Sequence, residues 1–128
     1  MKDLKYLFAY TVPLATLISF NSFGIGTYTA VFYAFVVLPF LDVVLGKSSI
    51  NLTESKREEK KLNKIFDWML YINLPIVYIL MVYGFNKVST IDYTVAEKIG
   101  LYLSGGILLA TNGINVAHEL CHRRKYYE

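Results

Sequence analysis

Residues Ile99–Ala117, IGLYLSGGILLATNGINVA, contain no charged side chain and end directly on His118-Glu119-Leu120-Cys121-His122. A helix needs roughly 20 predominantly apolar residues to cross the hydrocarbon core of a bilayer, and this stretch has that length. Three runs of the same kind precede it, near Leu4–Phe20, Thr27–Leu45 and Ile65–Phe85. In the first, the only polar side chains besides Lys5 are hydroxyls; in the second, the only charge is Asp42; the third carries Asp67 near its start and Asn73 inside. A soluble helix bundle would need a polar stripe along each helix, and the first two runs have none. The chain therefore reads as all-α, a multi-pass transmembrane helical bundle of about four spans forming a single transmembrane domain over residues 1–128. Its 55% hydrophobic content exceeds the roughly 45–50% of soluble domains.

Lys2 and Lys5 ahead of the first run also suit a secretory signal. A small-x-small cleavage site is missing and three further runs follow, so the segment reads as a retained helix.

The placement of basic residues gives an orientation. The connection between the second and third runs carries Lys47, Lys56, Arg57, Lys60, Lys61 and Lys64, whereas the link around Asn21–Gly26 carries no charge. The positive-inside bias puts the basic connection in the cytoplasm. Lys2 and Lys5 then fall inside, the link flanked by Lys87 and Lys98 outside, and Arg123, Arg124 and Lys125 inside. Both termini and the two histidines are expected at the cytoplasmic face of the inner membrane. The segment Lys56–Lys64 suits a helical surface stretch beside anionic headgroups, at about 1 kcal/mol per nearby base. It lacks aromatic interleaving, so the net charge of +3 reports orientation and not a nucleic-acid partner.

Pro13, Pro39 and Pro75 all fall inside apolar runs, which membrane helices tolerate because neighbouring groups satisfy the freed carbonyls. Gly105 and Gly106 would let another helix approach closely. No internal repeat or low-complexity tract is present. Cys121, the sole cysteine, excludes an intrachain disulfide. It is either a small packing residue or a thiolate ligand.

His118 and His122 are the only histidines, and at i and i+4 on a helix they can share a metal. At 100° per residue, with His118 at zero, Thr111 falls near about 20°, His122 near about 40° and Asn115 near about 60°. Cys121 lies on the flank of that stripe and Glu119 about 100° away. A polar stripe at membrane depth should face protein interior or a polar cavity. Asn115, nearly one turn before His118, could orient an imidazole, with Glu119 and Thr111 as further supports behind the ligands. Three readings stay open. The histidines could be interfacial residues capping a span. They could be zinc ligands of a membrane-embedded HExxH metalloprotease, with Glu119 activating a bound water. They could be iron ligands of an oxidoreductase.

The third reading draws on a resemblance. Asn112-Gly113-Ile114-Asn115-Val116-Ala117-His118-Glu119-Leu120-Cys121-His122-Arg123-Arg124 resembles the first histidine box of the membrane-bound alkane monooxygenases, integral-membrane non-haem di-iron hydroxylases. That family typically shows an Asn, then Ala directly before His-Glu-Leu-Gly-His-Lys, at the cytoplasmic end of a helix. Upstream, Pro39-Phe40-Leu41-Asp42 with Gly46, and Asn73-Leu74-Pro75, resemble features of earlier helices. Cys121 replaces the usual Gly and Arg123 the usual Lys. The family's second and third boxes have no counterpart before Glu128, so the resemblance implies an amino-terminal fragment that would be inactive alone.

What the resemblance implies is O2-dependent terminal hydroxylation of an alkane or similar hydrophobic chain entering from the bilayer. His118 and His122 would bind iron, two Fe per complete site, and a rubredoxin-type donor would supply electrons. Imidazole ligands suit iron, and helices can aim several at one centre. An apolar tunnel toward the metals would be needed. Phe32, Tyr33, Phe35 and Phe40 on the second run could set its length, with Phe32 and Phe35 the leading candidates. Lipid-facing or packing aromatics are the plainer account of all four.

Overall fold

A computed structural model describes residues 10–45 and 64–121, with the side chains of 45, 64–67, 69, 70, 115, 119 and 120 outside that description. The described residues are helical, with no strand among them. Helix α1 spans Thr11–Phe20 and is followed by a 3₁₀ turn, Gly24–Tyr28. Helix α2, Thr29–Phe32, continues through a π turn, Tyr33–Val37, into α3, Leu38–Leu45. Helix α4 spans Lys64–Thr90. Helix α5, Val95–Leu108, continues through a second π turn, Leu109–Ile114, into α6, Asn115–Cys121.

Among the described residues, three stretches are long and apolar enough to cross a membrane: Gly24–Val44, Tyr71–Thr90 and Val95–His118. The first of the four expected spans appears as the ten residues of α1, about 15 Å of helix at 1.5 Å per residue. That length falls short of a bilayer core, and the part of the run before Tyr10 lies outside the described residues. The basic connection, Lys47 to Lys61, and the termini with Lys2, Lys5 and Arg123 to Lys125 lie outside them as well.

Each proline has a local accommodation. Pro13 occupies the first turn of α1, where no intrahelical N–H bond is due. Pro39 is the second residue after the first π turn, a widened turn that eases the clash between a proline ring and the carbonyls before it. Pro75 stands inside α4, where it cannot donate to the carbonyl of Tyr71.

The helix running from Val95 to His118 is central. Some 41% of its apolar window is buried against the rest of the chain, against 22% for Tyr71–Thr90 and 11% for Gly24–Val44. Two apolar clusters form along it. Phe20, Tyr93 and Leu101 pack at one end, and Val77, Leu80 and Leu108 pack nearer the middle.

Hydroxyls tie the helices together between these clusters. The Ser104 hydroxyl donates to the carbonyl of Thr27 at 2.8 Å and approaches the Ser19 hydroxyl at 3.2 Å. Ser19 Oγ in turn accepts the backbone N–H of Ala30 at 2.9 Å. Ser19, Thr27 and Ser104 are fully buried, so these bonds satisfy polar groups that hydrocarbon could not. Thr16 and Ser19 also bond back to the carbonyls of Val12 and Ala15, one turn earlier.

Close helix approach was expected at Gly105 and Gly106, and the structure moves it elsewhere. A Cβ on Gly106 would meet nothing within 4 Å, and one on Gly105 would stand at an ordinary 3.6 Å from Met81. The tight places are Gly100, where a Cβ would lie 2.3 Å from Thr27 Oγ1, and Gly84, where it would lie 2.5 Å from the Phe20 ring. The pair Gly105-Gly106 borders instead an apolar cavity of about 150 Å³ between α4 and α5, also lined by Met81, Gly84, Leu101 and Leu109.

The Asn21–Gly26 link and the Ile91–Thr94 link lie at the same end of the molecule. The Gly24 N–H donates to Glu97 Oε1 at 2.6 Å, the Tyr28 hydroxyl donates to the carbonyl of Ala96 at 2.7 Å, and Phe23 stacks on Tyr93 with ring centroids 5.4 Å apart. Glu97 also closes a capping box with Thr94 at the start of α5. Antiparallel passage through successive helices then puts His118 at the opposite end, where α6 packs against α4.

Candidate metal centre at the end of the central helix

The second π turn decides how the His118 end is presented. Leu108, Asn112 and Val116 are all buried, a spacing of four throughout. Each step of four on an α-helix drifts by about 40°, so the outer two would diverge by about 80°. A π turn adds one residue to its loop, which removes the drift and keeps all three on one line.

That line faces α4. A Cβ on Gly113 would sit 3.9 Å from Val77, and Asn112 Nδ2 donates to Asn73 Oδ1 at 3.3 Å. Asn73 and Asn112 are each 3% exposed, an amide pair enclosed between two apolar helices. The Thr111 hydroxyl donates to the carbonyl of Ile107 at 2.7 Å and lies 2.9 Å from Asn112 Oδ1.

The constant step of 100° therefore does not hold between Thr111 and His118. Thr111 lies within the turn, so about half of the extra residue falls between it and His118 and widens their separation from about 20° to roughly 70°. Its hydroxyl lies against the amide pair. Asn115 and His118 both lie beyond the π turn, within α6, and keep their expected separation of about 60°.

His118 is two residues past Val116, about 200° around the helix. Its side chain is exposed, on the face turned away from α4. Cys121 is a free thiol, also exposed. The backbones of Asn115 and Glu119 are helical, while their side chains, and His122 as a whole, lie outside the described residues. Among the described residues no three His, Cys, Asp or Glu side chains gather into a metal-holding group. His118 is the imidazole of the sequence pair that the described residues include, and an imidazole is a donor that suits iron or zinc.

Phe32, Phe35 and Phe40 are 60%, 71% and 65% exposed. They face outward from the second run, and none of them lines the cavity between α4 and α5.

Sequence reading passed over the amide pair and the π turn beside it. A signal was present: Asn73 and Asn112 are each an amide in the interior of an apolar run, and a side chain of that kind at membrane depth calls for a partner.

No family model and no solved structure matches the chain. Among curated proteins it is 31% identical to alkane 1-monooxygenase 2 of Alcanivorax borkumensis, over 96% of this chain and 34% of that protein. It is 30% identical to alkane 1-monooxygenase 1 of the same organism, over 72% of this chain and 22% of that protein. The alkane 1-monooxygenase of Pseudomonas putida is 30% identical, over 80% of this chain and 25% of that protein. The chain thus spans about a third or less of the length of the curated relatives it matches. Over that shared stretch of apolar helices, the chain belongs to the alkane 1-monooxygenase family.

Proposed function

We propose that this chain forms part of an integral-membrane hydroxylase acting on the terminal methyl group of alkanes or similar hydrophobic chains, with His118 and His122 among the ligands of a di-iron centre. The observation that carries the reading is its similarity to three alkane 1-monooxygenases, combined with a histidine at the end of the central apolar helix. Iron held by these imidazoles would supply the activation of O2 that attack on an unactivated C–H bond requires.

In the overall reaction a terminal C–H bond becomes C–OH, and the second oxygen atom leaves as water. Two electrons from a rubredoxin-type donor and two protons from the aqueous phase complete the balance. His118 and His122 would hold the metal. Two imidazoles are too few for a di-iron site, so this pair would be part of a larger ligand set.

The membrane supplies both solvent and substrate. Outward aromatics such as Phe32 and Phe35 belong to a surface that a hydrocarbon reaches directly from lipid, and they are candidates for setting how long a chain is accepted. The basic connection and the positive-inside bias put the histidine end at the cytoplasmic face of the inner membrane, within reach of a soluble electron donor.

The test uses membranes containing the native protein that carries this sequence, supplied with octane, a reducing system and ¹⁸O2. Labelled 1-octanol, lost in His118→Ala and His122→Ala, is the expected result. Zinc in the purified protein together with peptide hydrolysis would replace this reading with the metalloprotease one.

A further inference from the structure

We infer that Asn73 is a positioning residue for the histidine pair: its side-chain amide stabilises the π turn Leu109–Ile114 and thereby fixes the rotational setting of α6. What the pair holds rests on the function proposed above, while the rotational setting stands on the helix geometry.

The argument starts from the register. Leu108, Asn112 and Val116 share one buried line only because the π turn intervenes. In an uninterrupted α-helix, holding Leu108 against Val77 and Leu80 would swing everything beyond the turn by about 100°, one residue's worth. His118 would then leave the outward face it now occupies.

A π turn is rare, and it persists where a local interaction favours it. Here the bonded group at its centre is the Asn112 amide, 3% exposed, donating to Asn73 Oδ1 across the interface with α4. Thr111, bonded to Ile107 one turn back, flanks that amide at 2.9 Å. Asn73 lies two residues before Pro75 in α4, so the acceptor is on the helix segment whose own bonding Pro75 interrupts. The juxtaposition links an irregularity in one helix to an irregularity in its neighbour through the enclosed Asn73–Asn112 amide pair. Relaxing the π turn would carry Asn112 off the α4 face and leave both amides in an apolar setting, a state that membrane interiors disfavour. The bond and the π turn therefore support each other.

Spin labels can read the setting directly. Cys121 is the native, exposed cysteine of α6, and Trp68 is exposed near the start of α4. In the full chain in lipid nanodiscs, labels at Cys121 and at Trp68→Cys give a distance by pulsed electron resonance. A rotation of about 100° on a Cα radius of about 2.3 Å moves the Cα of residue 121 by about 3.5 Å, and the label farther. Asn73→Leu, close in volume but without an acceptor, is expected to shift or broaden that distance. Asn73→Asp, which keeps an acceptor oxygen, is expected to retain the native value. A second label pair at Ile25→Cys and Val95→Cys, at the opposite end, confirms that each variant is folded. An unchanged Cys121 distance in folded Asn73→Leu would overturn the inference, and so would an equal shift in Asn73→Asp. Copper(II) titration of His118 and His122 in the same samples reports the pair's metal binding separately, so failure there bears on the proposed function and leaves the rotational result intact.

Discussion

The two ends of the bundle solve opposite problems. At the link end, Ser19, Thr27 and Ser104 are sealed from solvent and bond one another or nearby backbone. Gly84 and Gly100 let neighbouring side chains approach until no Cβ would fit. At the histidine end, the chemically capable side chains His118 and Cys121 stand exposed, held in place from behind by Asn112 and Val116. At the link end these polar groups are sealed into the packing; at the histidine end His118 and Cys121 are exposed while Asn73 and Asn112 stay buried. Stability and chemistry are thus separated along a single helix, and substitutions at the two ends should fail in different ways.

Gly100→Val should do the most damage to stability. Its Cβ would intrude on Thr27 Oγ1 and on the Tyr28 ring, at 2.3 and 2.7 Å, and overpacking of that kind costs about 3 kcal/mol. Unfolding in mixed micelles would register the loss. Gly106→Ala is the matched control: space is open there, and the helix should be unchanged or gain up to about 1 kcal/mol. Similar losses at both positions would break the assignment of close packing to Gly100.

Ser104→Ala comes next. It removes one hydroxyl that bridges Thr27 and Ser19, and interhelical bonds in membranes average about 0.6 kcal/mol. A fall of about 1 kcal/mol in the same assay fits the account. No change would mean that Ser19 and Ala30 hold the joint without it.

His118→Ala should have the smallest effect on folding, within about 0.5 kcal/mol, because an exposed side chain contributes little. A loss comparable with that of Gly100→Val would show that the histidine end is part of the core and erase the contrast between the ends.

Much of this architecture was readable beforehand, for physical reasons that differ by element. Uncharged runs near 20 residues admit few folds, so the helical membrane class followed from Ile99–Ala117 and its counterparts. The short link between α4 and α5 and the uncharged Asn21–Gly26 link fell at one end, as alternating passage requires. Register within the last run was harder. A fixed angular step put Thr111 beside His118, and the π turn at Leu109–Ile114 moved it to the amide pair. Hydropathy does not encode that turn; it depends on Asn73, thirty-nine residues away from Asn112. The positions of close approach were also misassigned, since two adjacent glycines suggest a smooth helix face while contact is decided by the partner's side chains, here Thr27, Tyr28 and Phe20.

The proposed role of the histidine end in an iron-dependent hydroxylase is open to metal analysis. Metal analysis of the native protein carrying this sequence, purified from membranes without chelators and compared with its His118→Ala variant, tests it most directly. Iron is expected in the native protein, about two per complete site, and is expected to be lost in the variant. Zinc in place of iron, or an iron content untouched by His118→Ala, would contradict it.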